Sequence, residues 1–565
     1  MDVREDLASI LPFLPVIHRS SSIFWPPKAL DSIKALSLGP DISRVDSGEI
    51  LFEAILNLRE TLGLTTKLAR RAAEGYAYFF DELMDRVKAR AWFGETIPIL
   101  ARMLLRLPVA LNEHYGRVAE EDDGFGGKIT TCGTGLRILE KQESGIVLIS
   151  QELIATLLVC SLLCIFPTSG RTEKSLPGIN FDYLFAALHP NGWQSQEEKI
   201  KCLIHYFERI SSLTPSACVS FERKVLPLEH GSSISYPEAE FWEKSTIPLC
   251  TFGVSIEGFI EDHERESLEI DFANAFLGGG SLHRGCVQEE IRFMINPELI
   301  IGMLFLPSMD VNEAIEIVGT ERFSNYTGKQ TSIVAIDALD TPGMRQYGIT
   351  CLLRETNKAF CGFFNPAEYQ DHLKSIQSIV NKSNPTRFNH AENIKMVEGN
   401  ENLSDRVFNV SNLSHVQKNI GVATGNWGCG AFGGDPELKS IIQWLAASQA
   451  SRSFIEYYTF GNRPLQRLKQ VTEWILQHEW TVGDLWNILI EYSSLRLNGQ
   501  TRSGFLNWVL PLPEDDSSRN ADFMCESRVG ETADGVAIAR RVKTRFKECL
   551  TKVNRWLSGP GLGRD

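Results

Sequence analysis

Positive charge is in short supply along this chain of 565 residues: 57 Lys and Arg stand against 71 Asp and Glu, a net charge of −14. A general nucleic-acid binder needs a broad cationic face, which this balance excludes, so any anionic ligand has to be held locally. Clustered cysteine is missing as well. The twelve cysteines are scattered. The nearest pairs, Cys160 with Cys164 and Cys351 with Cys361, fit neither C-x2-C zinc spacing nor a compact disulfide framework. Reduced thiols are expected, and with them a location in nucleus or cytoplasm. The opening Met-Asp-Val-Arg-Glu-Asp carries acids where a secretory leader has cations, and Pro12 and Pro15 interrupt the apolar stretch at 9–17, so no export signal is expected. One apolar run, Ile146 to Phe166, is long enough to cross a bilayer. Ser150, Gln151 and Glu152 near its start and the lack of basic flanks predict a buried core helix instead, and no membrane partner. The eleven histidines include no H-E-x-x-H and no pair on one helical face, so neither a metal site nor a cofactor is expected, and His283 reads as structural or exposed. Internal repeats and low-complexity tracts are absent.

What is present is an ordinary globular mixture, 43% hydrophobic and 23% charged. Residues 1–220 carry helical periodicity: Leu51, Ile55 and Leu58 recur at i, i+4, i+7, with like spacing through 66–90, 97–112 and 150–165. This region is predicted to be an all-α accessory domain, with 120–128 and 166–178 as solvent loops. From 221 to 510 the texture changes. Short β-branched or aromatic runs at 249–256, 267–273, 298–306, 332–338, 419–424 and 454–460 alternate with helical patterns, which predicts an α/β sheet covered by helices. The polar residues 381–418 read as an excursion from that sheet. In the tail, 511–565, Ile538, Val542, Phe546 and Leu550 outline an amphipathic helix with a solvated cationic face.

Two glycine-rich segments carry the chemistry. In the first, a strand holding Asp271 and ending near Asn274 runs into Gly278-Gly279-Gly280, where bare backbone can take positive φ and approach a ligand closely. Gln288, Glu289 and Glu290 then open a periodic helix. Acids in a first helical turn have an innocent explanation as complements to the macrodipole. Their coupling to a triple glycine and a strand aspartate instead points to three carboxylates converging on one cleft. The second segment runs from Gly425 to Asp435, between an apolar strand and an apolar-periodic helix, with Asp435 as N-cap and Pro436 at the first helical position. Such a turn at a helix N-terminus is a phosphate cradle. Gly428, Gly430 and Gly433 satisfy G-x-G-x-x-G, but too little chain follows for two mononucleotide halves. Asp435-Pro436 stands where a Walker loop needs Gly-Lys.

Together these residues resemble the poly(ADP-ribose) glycohydrolase family. Gly278-Gly279-Gly280, seven residues and Gln288-Glu289-Glu290 look like its G-G-G-x(6–8)-Q-E-E signature, and the 425–435 loop is similar to its diphosphate-binding loop. The likeness extends to 152–167, 176–182, 291–301 and 358–363, and so to most of residues 10–510. It implies a macrodomain-like mixed sheet sandwiched by helices, preceded by the all-α accessory domain, and hydrolysis of ribose–ribose O-glycosidic bonds in poly(ADP-ribose) carried on modified proteins. A monomer is expected, with no sequence-specific nucleic acid.

By position, the resemblance makes Glu290 the acid that protonates the leaving ribose oxygen and then deprotonates water, with Glu289 and Asp271 holding the ribose hydroxyls or orienting the site. Asn274 would line the ribose pocket, and Gly278, Gly279, Gly280, Gln288 and Tyr326 would also bind substrate. Gly428, Gly430, Ala431 and Gly433 would hold the diphosphate, Asn426 and Phe432 would lie beside the sugar, and Phe460 would stack nearby. Ile260 and Glu261 fall where the family holds the adenine edge. One departure stands out. Tyr326-Thr327-Gly328 is followed almost at once by the strand at 332, so the family's second tyrosine, which closes over bound ADP-ribose, is absent and a hairpin is missing. That implies a weaker grip on substrate, or, as the alternative, a reader that binds ADP-ribose or its polymer with little or no turnover. Bulk at Gly430 is expected to obstruct the phosphate and to misfold the loop.

Overall fold

The computed structural model describes residues 4–19, 22–117, 135–188, 194–213, 215, 217–228, 235–263, 265–319, 331–365 and 420–511. The polar excursion at 381–418, the C-terminal amphipathic helix and Tyr326 lie outside these described residues. A short antiparallel pair near the start, β1 (Ile17–Arg19) and β2 (Ser22–Phe24), stands apart from the main sheet. The main sheet is built from β3 (Gly145–Ser150), β4 (Cys218–Val225), β5 (Thr251–Ser255), β6 (Ser267–Ala273), β7 (Glu313–Val318), β8 (Ser332–Asp337), β9 (Gly421–Gly425) and β10 (Phe454–Tyr458). Their order is β3-β4-β7-β8-β6-β9-β10-β5. From β8 through β6, β9 and β10 to β5 the strands are parallel. From β8 outward through β7 and β4 to β3 they are antiparallel.

Alternation along the strands gives the sheet two apolar faces, the pattern that lets helices cover both sides. Ile315 and Ile317 of β7 and Ile333 and Ala335 of β8 join one core, shared with Leu104, Leu158 and Phe207 of the N-terminal helices. Ala314, Val334 and Ile336, one residue out of phase, join a second core with Phe360, Trp444 and Leu485. Each fully buried Ile or Leu contributes about 1.5–3 kcal/mol. The expected architecture is found, a mixed sheet between helical layers with a helical N-terminal region.

Details differ from the sequence reading. The run Ile146 to Phe166 is not one helix: Gly145–Ser150 is the edge strand β3, with Val147 and Ile149 buried and Leu148 exposed, and Ser150 then caps the helix Gln151–Leu162 through the Leu153 amide. Among the described residues, no helix is long and apolar enough to cross a membrane. Residues 298–306, expected to be a strand, form the 3-10 turn Pro297–Ile301 and the short helix Gly302–Phe305. That run is buried on all sides, so its apolar content carries no period to distinguish helix from strand. The strands β4 and β7 were hidden by charge. Arg223 and Glu313 are fully buried and ion-paired with each other, and Lys224 meets Glu316 at 2.6 Å.

Candidate active site

β6 and β9 are hydrogen-bonded only from Ser267 to Glu269 against Gly421 to Ala423, so the two strands part before their C-terminal ends. The chain leaves β6 toward β7 and β8 on one side of the sheet and leaves β9 toward β10 on the other. Parallel sheets open a ligand crevice at such a point. Parting the strands frees backbone groups, and the Gln288 side chain takes them up: its oxygen accepts the Phe272 N–H at 2.7 Å and its amide donates to the Ile270 carbonyl at 3.1 Å. Gln288 therefore holds the crevice open.

The odd-numbered positions of β6 face the helix Gln288–Ile295. Glu269 pairs with Arg292 at 2.5 Å, and Asp271 lies two residues further on. In the first turn of that helix, Glu289 accepts the Gly278 amide at 2.7 Å and the Asn274 amide at 2.9 Å. Glu290 accepts the Gly280 amide at 2.9 Å and that of Val287 at 2.8 Å. The second bond of Glu290 reaches back to the N-cap amide, with no reciprocal bond because Val287 has no side-chain acceptor, so capping accounts for half of its contacts and the glycine loop for the rest. Bare backbone is obligatory here. A Cβ on Gly279, whose φ is +46°, would lie 2.5 Å from a Glu289 oxygen and 2.9 Å from one of Glu290. Exposure rises along the trio, from 1% at Asp271 to 3% at Glu289 and 6% at Glu290. Burial lifts the Asp271 carboxyl to about 7, opposed by Arg292 and aided by Glu290. Burial with Asp271 and Glu290 as neighbours drives Glu289 well above the usual carboxylate range. Both Asp271 oxygens are buried without a hydrogen-bond partner, a costly arrangement of the kind that marks functional sites.

The second loop leaves the same end of the sheet, from β9. Its buried Trp427 donates to the Ile336 carbonyl at 2.9 Å, and Asn426 bridges to β10 by donating to Thr459 and accepting from Tyr457. Gly428 and Gly433 take positive φ, and the Gly434 amide closes the turn on the Gly428 carbonyl at 2.9 Å. Asp435 then caps the helix Pro436–Gln449 through the Glu437 amide and accepts the Tyr347 hydroxyl at 2.5 Å. Gly430, Ala431 and Gly433 are exposed, and a Cβ on either glycine would meet nothing within 4 Å. Gly430 has no positive φ, so a side chain there fills open space without misfolding the loop, contrary to expectation. The open space adjoins a helix N-terminus, whose first amides Asp435 occupies and whose dipole favours an anion. Beside it, buried Ile260 packs on Ala423 and Tyr458, with Phe272 and Phe460 flanking them. Phe460 holds a φ of +52°, a conformation that costs of order 1 kcal/mol or more in a non-glycine residue and recurs at ligand sites.

The family model for poly(ADP-ribose) glycohydrolase, macro domain fold, matches residues 239–332 and 329–467, and that for the family's helical domain matches 84–223. Poly(ADP-ribose) glycohydrolase 1 of Arabidopsis thaliana is 50% identical over 554 residues, covering 90% of this chain and 98% of its own length. Probable poly(ADP-ribose) glycohydrolase 2 of the same plant is 46% identical over 90% of this chain and 99% of its own length. Poly(ADP-ribose) glycohydrolase 1 of Caenorhabditis elegans is 31% identical over 52% of this chain and 35% of its own length. The chain belongs to the poly(ADP-ribose) glycohydrolase family.

As a member of that family, it binds Asn274, Gly278 and Gly280 to Glu289 and Glu290 through backbone amides, with Gly279 and Asp271 beside the two glutamates and Gln288 bonded to the β6 backbone. Asn426 to Gly433, Ile260, Glu261 and Phe460 lie at or beside the C-terminal ends of β9 and β10, with Glu261 buried next to Ile260. Tyr326 is outside the described residues. The two pieces of the macrodomain match overlap at 329–332, a break in the match at the point of the sequence where the tyrosine segment is short. His283 is exposed and packs its ring on Tyr183 with 4.7 Å between centroids, as a structural residue would. The sequence reading missed Phe272, which flanks Gly425 together with Phe460, and Trp427, which anchors the second loop. An aromatic residue alternating with acids on β6, and a tryptophan inside a glycine run, were the available signals.

Proposed function

We propose that this chain hydrolyses the ribose–ribose O-glycosidic bonds of poly(ADP-ribose) from the chain end, releasing ADP-ribose. The observation that carries the reading is the convergence of Asp271, Glu289 and Glu290 on a side-chain-free loop, in a crevice that shares its sheet end with the 425–435 loop. Cleavage through an oxocarbenium-like state needs a proton donor at the leaving oxygen. Glu290, the least buried of the three acids, fills that role and then deprotonates the attacking water. Glu289 and Asp271 hold the ribose and set the charge around it. The 425–435 loop takes the diphosphate, and the Ile260, Phe272 and Phe460 cluster takes the adenosine end.

Purified protein with labelled polymer tests this. Release of ADP-ribose by wild type and its loss in Glu290→Gln support the reading, whereas equal background from both defeats it. Retention of polymer on a filter with no release would indicate a reader instead. All nine cysteines among the described residues are free thiols, which supports a reducing compartment, nucleus or cytoplasm.

A further inference from the structure

The first glycine loop is gripped from two sides. The helix Gln288–Ile295 supplies the acids on one; on the other stands the helix Gln194–Ser212, from the N-terminal helical half. Lys199 of that helix is fully buried, and its ammonium donates to the carbonyls of His283 and Gly285, each at 2.8 Å, and to that of Gly280 at 3.4 Å. An ammonium has three N–H donors, so three carbonyls use it completely. Three residues earlier, Gln196 donates to the same His283 carbonyl and to that of Leu184, both at 2.9 Å. Burying a cation is expensive, and burial pulls Lys199 down to about 8, with Cys286 and Glu290 acting in the opposite sense. An apolar residue would pack at this position at no such cost, because the same stripe of the helix carries Leu203 and Phe207 in the core.

The carbonyls that Lys199 holds belong to the turn that fixes Glu290. The Gly285 amide closes on the Gly280 carbonyl at 3.1 Å, the Gly280 amide donates to Glu290, and a Cβ on Gly285 would lie 2.6 Å from the same carboxyl. We propose that Lys199, assisted by Gln196, is a positioning residue of the active site: it locks the Gly280–Gly285 turn so that its backbone sets the Glu290 carboxyl. The helical half is then a working part of the catalytic apparatus. The inference rests on the reading of Glu290 as proton donor. Without the cation, the Gly285 carbonyl loses this donor, the His283 carbonyl keeps the Gln196 amide and the Gly280 carbonyl keeps the amides of the turn itself, and the turn relaxes. The diphosphate and adenosine contacts of the proposed function lie on and beside the other loop and stay in place.

The experiment is steady-state kinetics on polymer, with calorimetry of ADP-ribose binding, for wild type, Lys199→Met and Gln196→Leu. Lys201→Met serves as a control on the same helix, its ammonium half-exposed and paired with Glu197. Lys199→Met is expected to cut kcat roughly 10- to 100-fold, with KM and the ADP-ribose Kd within about twofold of wild type. Gln196→Leu should move kcat in the same direction by less, and Lys201→Met should match wild type. A wild-type kcat in Lys199→Met overturns the proposal, and so does a parallel change of kcat and KM. Should Lys199→Met fail to fold, Gln196→Leu decides: an unchanged kcat at retained melting temperature overturns it equally. A silent wild type defeats the proposed function instead, so the two failures are distinguishable.

Discussion

The Glu289 carboxylate accepts the Gly278 amide at 2.7 Å, which makes the acid pair and the triple glycine a single unit. Glu290 repeats the relationship with Gly280 at 2.9 Å. Loop and helix therefore fix each other, and a change in either is felt as a displaced carboxyl.

Gly279→Ala tests that coupling with one methyl group. The added carbon would collide with both carboxylates and sit at a φ of +46° that alanine disfavours. Turnover is expected to fall about 100-fold or more, with a smaller loss of ADP-ribose affinity, read by polymer cleavage and calorimetry. Activity near wild type would mean that the carboxyl positions are not set by the loop.

Gly430→Val should separate binding from folding. Its side chain enters open space over the N-terminus of the helix Pro436–Gln449. Stability should stay within about 0.5 kcal/mol of wild type, as for an ordinary surface change. ADP-ribose affinity should weaken about tenfold, or roughly 1.4 kcal/mol. Unchanged affinity in calorimetry would remove the diphosphate from this loop.

Asp271→Asn should remove a pH dependence of stability. The Asp271 carboxyl titrates near 7 in the folded chain, well above an unfolded aspartate. Between the two values the folded state holds a proton that the unfolded state releases, so this group's contribution is full at low pH and is lost as pH rises through about 7. Asparagine removes the penalty. The variant should melt above wild type at pH 8 and lose that advantage in acid, while its turnover drops. An advantage that does not shrink with falling pH would contradict the assignment.

Asp435→Ala removes the cap of the helix beneath the second loop and the acceptor of the Tyr347 hydroxyl. A lost N-cap costs about 0.5–2 kcal/mol, and a lower melting temperature with weaker ADP-ribose binding is the expected result. Denaturant melts and calorimetry on one preparation check both.

Much of the site was legible because its signals are local. Strand β6 occupies the predicted span 267–273, the triple glycine and the acids follow in order, and Asp435 with Pro436 caps as their types suggest. Long-range pairing left weaker traces. Arg223 and Glu313 mask two strands because the charge of each is paired with the other, some ninety positions away. Gln288 reads as a pocket residue, yet its amide bridges Phe272 and Ile270, a task that exists only once β6 and β9 separate. Lys199 did leave a mark, a cation on the stripe that carries Leu203 and Phe207, but its three carbonyls lie in a loop more than eighty residues on.

Strand β4 lies between β3 and β7, paired to β7 from Ser220 through Val225. A fragment cut at residue 221 would start inside β4 and abandon β3, leaving β7 beside a frayed neighbour and the sheet with an uncovered border. Exposed borders of that kind recruit other chains. Excising the C-terminal half for biochemistry should therefore yield precipitate rather than a smaller enzyme, and a soluble piece must retain the strand that begins at Gly145.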